Sequence, residues 1–532
     1  MKSSFTLIEL LITAGIVLFL SAMFLVNYDL MRWQTDLDAE ARKVASIIKQ
    51  AQAQALAGKK TDGSKPNGYG VNFTSSTYTF FADIYPAGTP NYNYDEGQDT
   101  IINSFNFPLK ISSDTTSTFV FSLPEAKVYQ NGNLLEGASI FKITHSETGD
   151  SRKISVSGVG KIEVCAKRWW DDSWIKRKPI TFSLSSGSTP SSYQVKINID
   201  YTTGMKSDFS DLRFVDYCNF AQLPYWIESK TDDVSAVIWV RIKDPATFFN
   251  PQKIYLYYGN PSATSQSSVA NTFVREIDGA QPVKGAWNLD ETSGSTVNDS
   301  SGNGHTGTAQ AAVTVNSGGK NNYCRNYAGG TTSYIDIDNT SDFVWAIGTP
   351  VSISMWVKSS GATSFMSFMS KDVNGSRGWV FISAGQGATE LYANIYQNNT
   401  TYIHRRGSGA STIYDSQWHH IVMTWDGTGS YTGIKLYADG VEVTYDGGIG
   451  SLSSVQNSSA NARLGIYYDT NYTFTGLMDE VIYWKGVALS TSEISDLYNN
   501  YGYTTINYPG RVLVRKYSSP EPTAFLGEEE TL

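Results

Sequence analysis

The sequence predicts a mainly β, multidomain protein that begins with one long helix. At 532 residues the chain is too long for one ordinary domain and suggests three or four. It contains 13% aromatic residues and only 17% charged ones, against about 25% charged residues in typical soluble domains. This composition suits β-sheet domains outside the cytoplasm. One apolar run, residues 5–26, precedes many short segments in which apolar and polar residues alternate.

Charge, apolar content and cysteine number exclude several classes of protein. The chain has 41 basic and 50 acidic residues, a net charge of -9, which argues against nucleic acid as a partner. An apolar fraction of 41% is enough to build cores and excludes disorder for most of the chain. Cys165, Cys218 and Cys324 are odd in number and far apart. They therefore disfavour a disulfide scaffold and a multi-cysteine zinc site.

The apolar run from Phe5 to Val26 contains one charge, Glu9. As a helix it spans about 33 Å, enough to cross a bilayer core. A secretory signal peptide has a shorter apolar core and a small-residue cleavage site, which is missing here. A plain membrane anchor explains the length and Lys2 but not Glu9. Inserting a carboxylate into a membrane helix at this position costs about 2.5–3.5 kcal/mol, so we expect Glu9 to pair with a partner group.

The helical pattern continues beyond the apolar run. Proline is absent before Pro66, and one helix over residues 5–58, ending at Gly58, is therefore predicted. Apolar residues spaced by three and four predict a stripe along one face of its second half: Leu37, Ala41, Val44, Ile48, Ala51 and Ala55.

Met1-Lys2-Ser3-Ser4 followed by Phe5-Thr6-Leu7-Ile8-Glu9-Leu10 resembles the N-terminus of type IV pilins and pseudopilins. The resemblance implies that residues 1–4 are a leader, cut by prepilin peptidase between Ser4 and Phe5, and that the Phe5 amine is methylated. It also implies that Glu9 pairs with the N-terminal amine of a neighbouring subunit during filament assembly. The family usually has glycine where this chain has Ser4, which predicts slow or failed processing.

Two β domains are expected after the helix. Residues 59–166 carry short alternating strands and the hairpin turn Asn131-Gly132, and a long helix followed by a small antiparallel sheet resembles the pilin arrangement. The stretch Ala51-Gln-Ala-Gln-Ala55 and the closing Thr148-Gly149, Val156 and Ile162-Glu-Val164 resemble minor pseudopilins of secretion systems. Composition shifts at Arg168, and residues 168–268 predict a β-sandwich. That segment resembles an uncharacterised family of bacterial surface proteins.

Residues 275–500 form the largest predicted unit. They contain Gly285-Ala-Trp-Asn-Leu-Asp290, Trp418-His-His-Ile-Val-Met-Thr-Trp425 and Phe474-Thr-Gly-Leu-Met-Asp-Glu-Val-Ile-Tyr483. A capping box, Ser490 with Glu493, predicts a short helix. These motifs resemble concanavalin A-like, laminin-G-type jelly rolls, which implies two antiparallel sheets with loops at the rims. Residues 501–532 are expected to be a C-terminal tail with a solvated end at Glu528-Glu-Glu530.

Catalytic signatures are missing from the sequence, and a non-enzyme is predicted. No paired-carboxylate glycosidase pattern, G-x-S-x-G, HExxH or Walker A motif occurs. Asp479 and Glu480 are adjacent in a strand and are expected to point to opposite faces. The same spacing separates His419 from His420 and argues against joint metal ligation.

Calcium is the cofactor that the sequence favours. The loop Asp299-Ser-Ser-Gly-Asn-Gly has glycines that permit tight turns around a hard, oxygen-seeking cation. The resemblance to jelly rolls implies a shared ion bound by Asp299, Asn303 and Asp479. The alternative is an Asx-turn at Asp299 and a strand-end hydrogen bond at Asp479.

Tyr467, Tyr468 and Tyr472 are the candidate glycan-binding residues. They lie in a predicted rim loop beside Asp469 and Asn471, where aromatic rings and polar groups can grip a sugar. Tyrosine-rich loops also occur on β proteins that bind no ligand, so both interpretations stay open. Four tryptophans in predicted strands are expected in the core: Trp287, Trp356, Trp418 and Trp425.

The leading functional hypothesis is a minor pilin-like subunit that displays lectin-like β domains for adhesion or glycan binding. Its partners would be other pilin or pseudopilin subunits, prepilin peptidase, the inner membrane and a glycan or cell surface. It would reside in the cytoplasmic membrane as a precursor and then in an extracellular pilus or at the cell surface. The alternatives are a membrane-tethered extracellular carbohydrate-active protein and a purely structural surface protein.

Overall fold

The structure is a computed structural model, and the residues it describes begin at Trp33. Ser4, Phe5 and Glu9, with the apolar run, lie outside them. Among the described residues, no helix is long and apolar enough to cross a membrane. The described residues are 33, 35–61, 65–84, 90–136, 138–158, 160–165, 169–183, 192–217, 221–242, 253–277, 283–360, 365–383, 390–408, 413–467, 472–518 and 520–532.

Helices and strands group into three units along the chain. The first contains α1 (35–56), β1 (Gly68–Phe73), β2 (Thr77–Asp83), β3 (Thr100–Asn106), β4 (Ile111–Ser113), β5 (Thr118–Ser122), β6 (Val128–Gln130), β7 (Asn133–Leu134), β8 (Ala138–His145), β9 (Ser151–Ser157) and β10 (Ile162–Cys165). The second begins with β11 (Lys176–Ser183), β12 (Tyr193–Asp200), β13 (Arg213–Asp216), β14 (Gln222–Leu223), β15 (Tyr225–Thr231), β16 (Ser235–Ile242) and β17 (Lys253–Tyr258), and is followed by α2 (Val269–Thr272).

The third unit and the C-terminal segment supply the remaining elements. They are β18 (Arg275–Ile277), β19 (Val283–Trp287), β20 (Thr296–Val297), β21 (Gly307–Ala309), β22 (Val313–Asn316), β23 (Cys324–Ala328), β24 (Ile335–Asp336), β25 (Val351–Lys358), β26 (Ser367–Val373), β27 (Ser376–Ser383), β28 (Glu390–Tyr396), β29 (Tyr402–Ser408), β30 (His419–Trp425), β31 (Ile434–Ala438), β32 (Val441–Glu442), β33 (Thr444–Ile449), β34 (Arg463–Leu464), β35 (Ile466–Tyr467), β36 (Tyr472–Thr473), β37 (Thr475–Lys485), α3 (Thr491–Asn499), β38 (Tyr501–Tyr503), β39 (Val512–Arg515), β40 (Thr523–Leu526) and β41 (Glu530–Thr531).

In the first unit, α1 packs against two antiparallel sheets, whose orders are β3-β2-β1-β5-β6-β7 and β10-β9-β8-β4. The six residues of the predicted stripe, from Leu37 to Ala55, are all fully buried in this core. The turn Asn131-Gly132 has the left-handed φ values of 49° and 80° that its hairpin requires. The structure therefore confirms the second half of the predicted helix. It does not support the helix over 5–32, which lies outside the described residues.

The second unit is a sandwich of two antiparallel sheets. One follows the order β14-β13-β17-β11-β40, and the other is β12-β16-β15. Both C-terminal strands pair with β11, at Ile180↔Leu526 and Arg177↔Glu530. The C-terminal segment 501–532, expected to be a tail, thus supplies two strands to this sheet. Strand β11 would otherwise present an open sheet edge, and the chain returns to cover it.

The third unit is a jelly roll of an eight-stranded and a nine-stranded sheet. Its core fills the space between them, and Trp287 and Trp425 are fully buried there, as predicted. A second apolar cluster packs α3 on the outer face of the eight-stranded sheet. The capping box of Ser490 with Glu493 is confirmed at the start of α3. The nine-stranded sheet order is β20-β21-β24-β34-β26-β27-β28-β29-β33.

Candidate functional site

Asp299 organises its own loop in the jelly roll. Its carboxylate accepts hydrogen bonds from the main-chain N–H groups of Ala286, Ser301 and His305, at 2.9–3.0 Å. Asn303, in the same loop, donates from Nδ2 to the Val283 carbonyl at 2.9 Å. These contacts match the Asx-turn alternative, because they use the side chains to fix the turn.

Asp479 lies in β37 and contacts a different segment. Its Oδ2 accepts from the N–H groups of Lys320 and Asn321, at 2.8 and 3.2 Å. The side-chain amide of Asn321 also donates to Glu480 Oε1 at 3.2 Å, so one residue touches both carboxylates. The prediction that Asp479 and Glu480 point to opposite faces is wrong. The pairing register shifts at this point and Glu480 has a φ of 52°, the mark of a β-bulge that turns the strand.

Two of the predicted calcium ligands, Asp299 and Asn303, thus share one loop, whereas Asp479 contacts a different segment of the chain. Asp479 instead lies close enough to Asp290 and Glu480 for the negative charges of these residues to repel one another. Burial, followed by the negative charges of Asp479 and Asp290, raises the pKa of Glu480 well above its ordinary value. Within the described parts of the chain, no three acidic, histidine or cysteine side chains are arranged to hold a metal ion. Calcium at Asp299, Asn303 and Asp479 remains a prediction.

The predicted tyrosine loop is a small hairpin of β35 and β36. Tyr467 is buried, at 8% exposure, and its hydroxyl contacts Arg377 and Tyr396. Tyr472 is half-buried and stacks on Tyr467 with ring centroids 5.6 Å apart. Tyr468 lies outside the described residues. Of the two candidates that the structure describes, Tyr472 is therefore the more accessible to a ligand.

His419 and His420 do point to opposite faces, as predicted. His419 is held between Asp439 and Asp415, at 2.8 and 3.0 Å from its two ring nitrogens. His420 is buried on the other side, where its Nε2 lies 2.8 Å from Ser354 Oγ. Both rings therefore serve the packing of the sheet.

The outer face of the nine-stranded sheet presents a row of aromatic rings. In β28, Leu391, Ala393 and Ile395 enter the core, so Tyr392 and its alternate neighbours face outward. Five rings form the row, which we call the aromatic face: Tyr472, Phe365, Tyr392, His404 and Tyr402. Successive centroid distances along it are 5.4, 6.3, 5.1 and 5.9 Å.

The rings of this face remain accessible. Phe365 is 36% exposed, and the other four are half-buried. The ring planes of Tyr392 and Tyr402 each lie at 22° to the ring plane of His404. Val380 and Ile382 form an apolar base beneath Tyr392 and Tyr472. Phe365 meets Tyr392 and Tyr472 edge to face, at 67° and 87°, so the row is a continuous apolar surface that is not flat.

Polar groups border the aromatic face. Arg406 pairs with Asp446 at 3.3 Å. Burial, then the hydrogen bond with Asp446 and its charge, raises the pKa of Glu390. The Oδ1 of Asn394 and the Nδ1 of His404 have no hydrogen-bond partner. Burial and the charge of Arg406 lower the pKa of His404, which keeps its ring neutral.

This arrangement can bind a ligand that has both an apolar surface and many hydroxyl groups. The sequence analysis missed it. Alternation in Glu390-Leu-Tyr-Ala-Asn-Ile-Tyr396 was a usable signal, because it places Tyr392, Asn394 and Tyr396 on one face. Sequence alone cannot tell which of the two faces is covered.

Two family models match parts of the chain. Residues 329–495 match the concanavalin A-like lectin/glucanases superfamily, and residues 208–290 match a domain of unknown function, DUF2341. A search of curated proteins finds no match.

Several solved structures resemble part of the chain. The binding domain of Paraclostridial Mosquitocidal Protein 1 is 15% identical over 41% of this chain and 52% of that one, with a TM-score of 0.33. Domain 4 of AbnA, an extracellular arabinanase from Geobacillus stearothermophilus solved with arabinotriose, is 23% identical over 41% of this chain and 98% of that one, with a TM-score of 0.30. The Ruminococcus gnavus IT-sialidase CBM40, bound to α2,3-sialyllactose, is 14% identical over 28% of this chain and 82% of that one, with a TM-score of 0.22.

The chain spans about half the length of the mosquitocidal binding domain that it matches. Its own architecture is mainly β, with the matched superfamily segment lying inside the jelly roll. The chain therefore contains a concanavalin A-like, laminin-G-type domain and a DUF2341 region.

Proposed function

We propose that the protein binds carbohydrate through the aromatic face of its jelly roll. The observation that carries this proposal is the row of five accessible rings, each in contact with the next, on β28, β29, the hairpin of β35 and β36, and the segment before β26. The match of residues 329–495 to a superfamily that includes lectins supports it.

The chemistry of the face suits an oligosaccharide better than a single sugar. Aromatic rings offer broad apolar surfaces, and the C–H-bearing side of a sugar ring packs against them. The row extends over strands β28 and β29 and the hairpin of β35 and β36, so it provides several stacking positions. Glu390 and Arg406, which are partly or fully exposed, are placed to bind hydroxyl groups at its edge.

We propose binding without hydrolysis. A retaining glycosidase needs two carboxyl groups about 5–5.5 Å apart, on either side of the scissile bond. Glu390 and Asp446 at the edge of the aromatic face instead lie close enough together for Asp446 to raise the pKa of Glu390, and Asp446 is paired with Arg406.

Glycan-array binding of the full chain in detergent tests the proposal. We expect Tyr392→Ala and Tyr402→Ala each to weaken binding at least tenfold, about 1.4 kcal/mol. Tyr498→Ala is the matched control, because Tyr498 is 36% exposed but lies on α3, which packs on the other sheet. Equal binding by all three variants, or release of sugar from a bound glycan, contradicts the proposal.

A second candidate function is a minor pilin-like subunit of a type IV pilus or related filament that displays this unit for adhesion. The packing of α1 on a small antiparallel sheet favours it, as does the leader-like Met1–Leu10 segment. Mass spectrometry of the N-terminus tests it directly. A methylated Phe5 is the expected result, and an intact Met1 in cells that process other pilins contradicts it.

A further inference from the structure

A buried carboxylate in the first unit has no hydrogen-bond partner. Asp83, the last residue of β2, is 1% exposed, and both its Oδ1 and its Oδ2 are unpartnered. An ionised carboxylate in such a position is strongly unfavourable. Protein interiors resolve this by protonation, by a basic partner or by a cation.

Asp83 projects from the face of the sheet that is turned away from α1. Phe80 and Ala82, which lie on the opposite face of β2 from Asp83, enter the core beneath the helix. Phe81 shares the outer face with Asp83, and the ring of Tyr94 covers it at a centroid distance of 4.9 Å. The segment 90–99 therefore lies over this face of the sheet.

That segment brings two more carboxylates to Asp83. Asp99 Oδ1 accepts from the N–H of Ile84, the residue after Asp83, at 2.9 Å. Asp99 Oδ2 accepts from the N–H of Asp95 at 2.7 Å, and Asp95 itself accepts from the side-chain amide of Asn91. Burial, then the negative charges of Asp99 and Asp95, raises the pKa of Asp83 to about 7. The three groups thus repel one another in a confined space.

We propose that Asp83, Asp95 and Asp99 bind one calcium ion between β2 and the segment 90–99. Three carboxylates supply up to six oxygens, and Ca²⁺ takes six to eight in flexible geometry. The ion offsets the repulsion and supplies the partner that Asp83 lacks. It also ties the segment 90–99 to the sheet.

The three carboxylates must move closer together to bind the ion. Among the described residues no three acidic groups already stand at metal-ligand distances. Closure is feasible because Asp95 and Asp99 lie in a turn-rich segment that is only half-buried, whereas Asp83 is fixed by the strand. Mg²⁺ demands near-ideal octahedral geometry, so the site should prefer Ca²⁺.

Calcium titration of the chelator-treated full chain in detergent tests this site. We expect the number of bound Ca²⁺ ions per chain to fall by one in Asp83→Asn and in Asp99→Asn. Glu96→Gln, which removes an exposed charge from the same segment, should bind as the wild type does. Asp479→Asn separates this site from the one predicted in the jelly roll and should leave it unchanged.

Thermal unfolding provides the second readout. Without calcium, Asp83→Asn should be at least as stable as the wild type, because it removes a buried charge. With calcium, the Tm of the wild type should rise by about 5 °C and that of Asp83→Asn should not. A wild type that binds no calcium in the first unit, or an Asp83→Asn variant that keeps full stoichiometry, overturns the proposal in favour of a protonated Asp83.

Discussion

Arg177 in β11 and Glu530 in β41 form an ion pair, with 2.6 Å between Nη2 and Oε2. They lie 353 residues apart in the sequence. The guanidinium also packs on the rings of Tyr255 and Trp169, at 4.0 and 4.5 Å. The chain therefore leaves the second unit after β17 and forms the jelly roll. It then returns to the second unit, where β40 and β41 pair with β11. The end of the chain belongs to the structure of the second unit.

Truncation after Ser518 should destabilise the second unit by about 2–4 kcal/mol. It removes β40 and β41 and leaves the buried Arg177 without its carboxylate. Glu530→Gln should cost less, because the Glu530 side chain is 42% exposed. Urea unfolding followed by tryptophan fluorescence measures the change, since Trp169 lies beside Arg177. Glu528→Gln, at an exposed position, is the control, and a truncated chain as stable as the wild type contradicts the assignment.

Glu228 joins the sandwich to the C-terminal segment. Burial would raise its pKa, but the hydrogen bond from Thr505, the charge of Lys196 and further hydrogen bonds outweigh burial and lower it below 4.5. The stabilisation is therefore present above about pH 4.5 and lost as the pH falls through the folded-state pKa. Five side chains bind this carboxylate: Trp239, Tyr503, Thr505 and Asn507 by hydrogen bonds, and Lys196 by an ion pair.

Glu228→Gln should cost about 1–3 kcal/mol at neutral pH and make stability less sensitive to acid. Thermal unfolding at a series of pH values between 7 and 4 measures both effects. Asp232→Asn, at a side chain that is 59% exposed, should change neither. An acid sensitivity that is the same in Glu228→Gln and wild type would show that another group controls this range.

His420 should make the jelly roll sensitive to acid. Burial lowers its pKa from 6.5 to about 3, so the folded state does not bind the proton that the unfolded chain takes up below about 6.5. Stability then falls as the pH drops from about 6.5 towards 3. His420→Gln should lower stability at all pH values, because packing contacts are lost. It should also make stability less dependent on pH between about 6.5 and 3. Urea unfolding across the range measures the slope, and an unchanged slope contradicts the prediction.

His419 should have the opposite effect. The hydrogen bond to Asp439 raises its pKa above 6.5, against burial and with help from Asp415. A raised pKa stabilises the fold below about 6.5, and the contribution is lost as the pH rises through the folded-state value. His419→Gln should therefore lose more stability in mild acid than in mild base. Comparing its unfolding with that of His420→Gln separates the two adjacent groups, and slopes of the same sign would refute the assignment.

Ile48 in α1 should be essential to the first unit. It is fully buried against the sheet, and Ile48→Ala should cost about 2–5 kcal/mol through the lost apolar contacts and the cavity left behind. Lys49→Ala, at the adjacent exposed position, should cost less than about 0.5 kcal/mol. Circular dichroism during thermal unfolding measures both, and equal losses would place the buried face of α1 elsewhere.

Local patterns predicted the elements that local physics specifies. The spacing of Val44, Ile48 and Ala51 identified the buried side of α1 because a helix repeats every 3.6 residues. Ser490 with Glu493 identified the start of α3, because both groups satisfy main-chain donors of the first turn. Asn131-Gly132 identified its hairpin because the turn needs left-handed residues. Each of these signals lies within a few residues of the structure it predicts.

Contacts between distant segments were not predictable in this way. The bulge that turns Glu480 towards Asn321 depends on how β37 pairs with β25. The aromatic face depends on which side of β28 the second sheet covers, and the predicted tyrosine site placed Tyr467 in a loop although it is buried beside Arg377. The burial of Asp83 without a hydrogen-bond partner depends on segment 90–99, which lies over β2.

The sequence by itself determined the β-rich class, the apolar N-terminal run, the buried stripe of α1 and the concanavalin A-like motifs of the jelly roll, because each is written in composition or in a short repeat. Tertiary structure alone decided that Glu530 returns to Arg177, that Asp299 and Asp479 are held by different segments, and that five rings from different segments form one row. These are pairings of strands far apart in the chain, and their energy comes from burial and register, which no local pattern records.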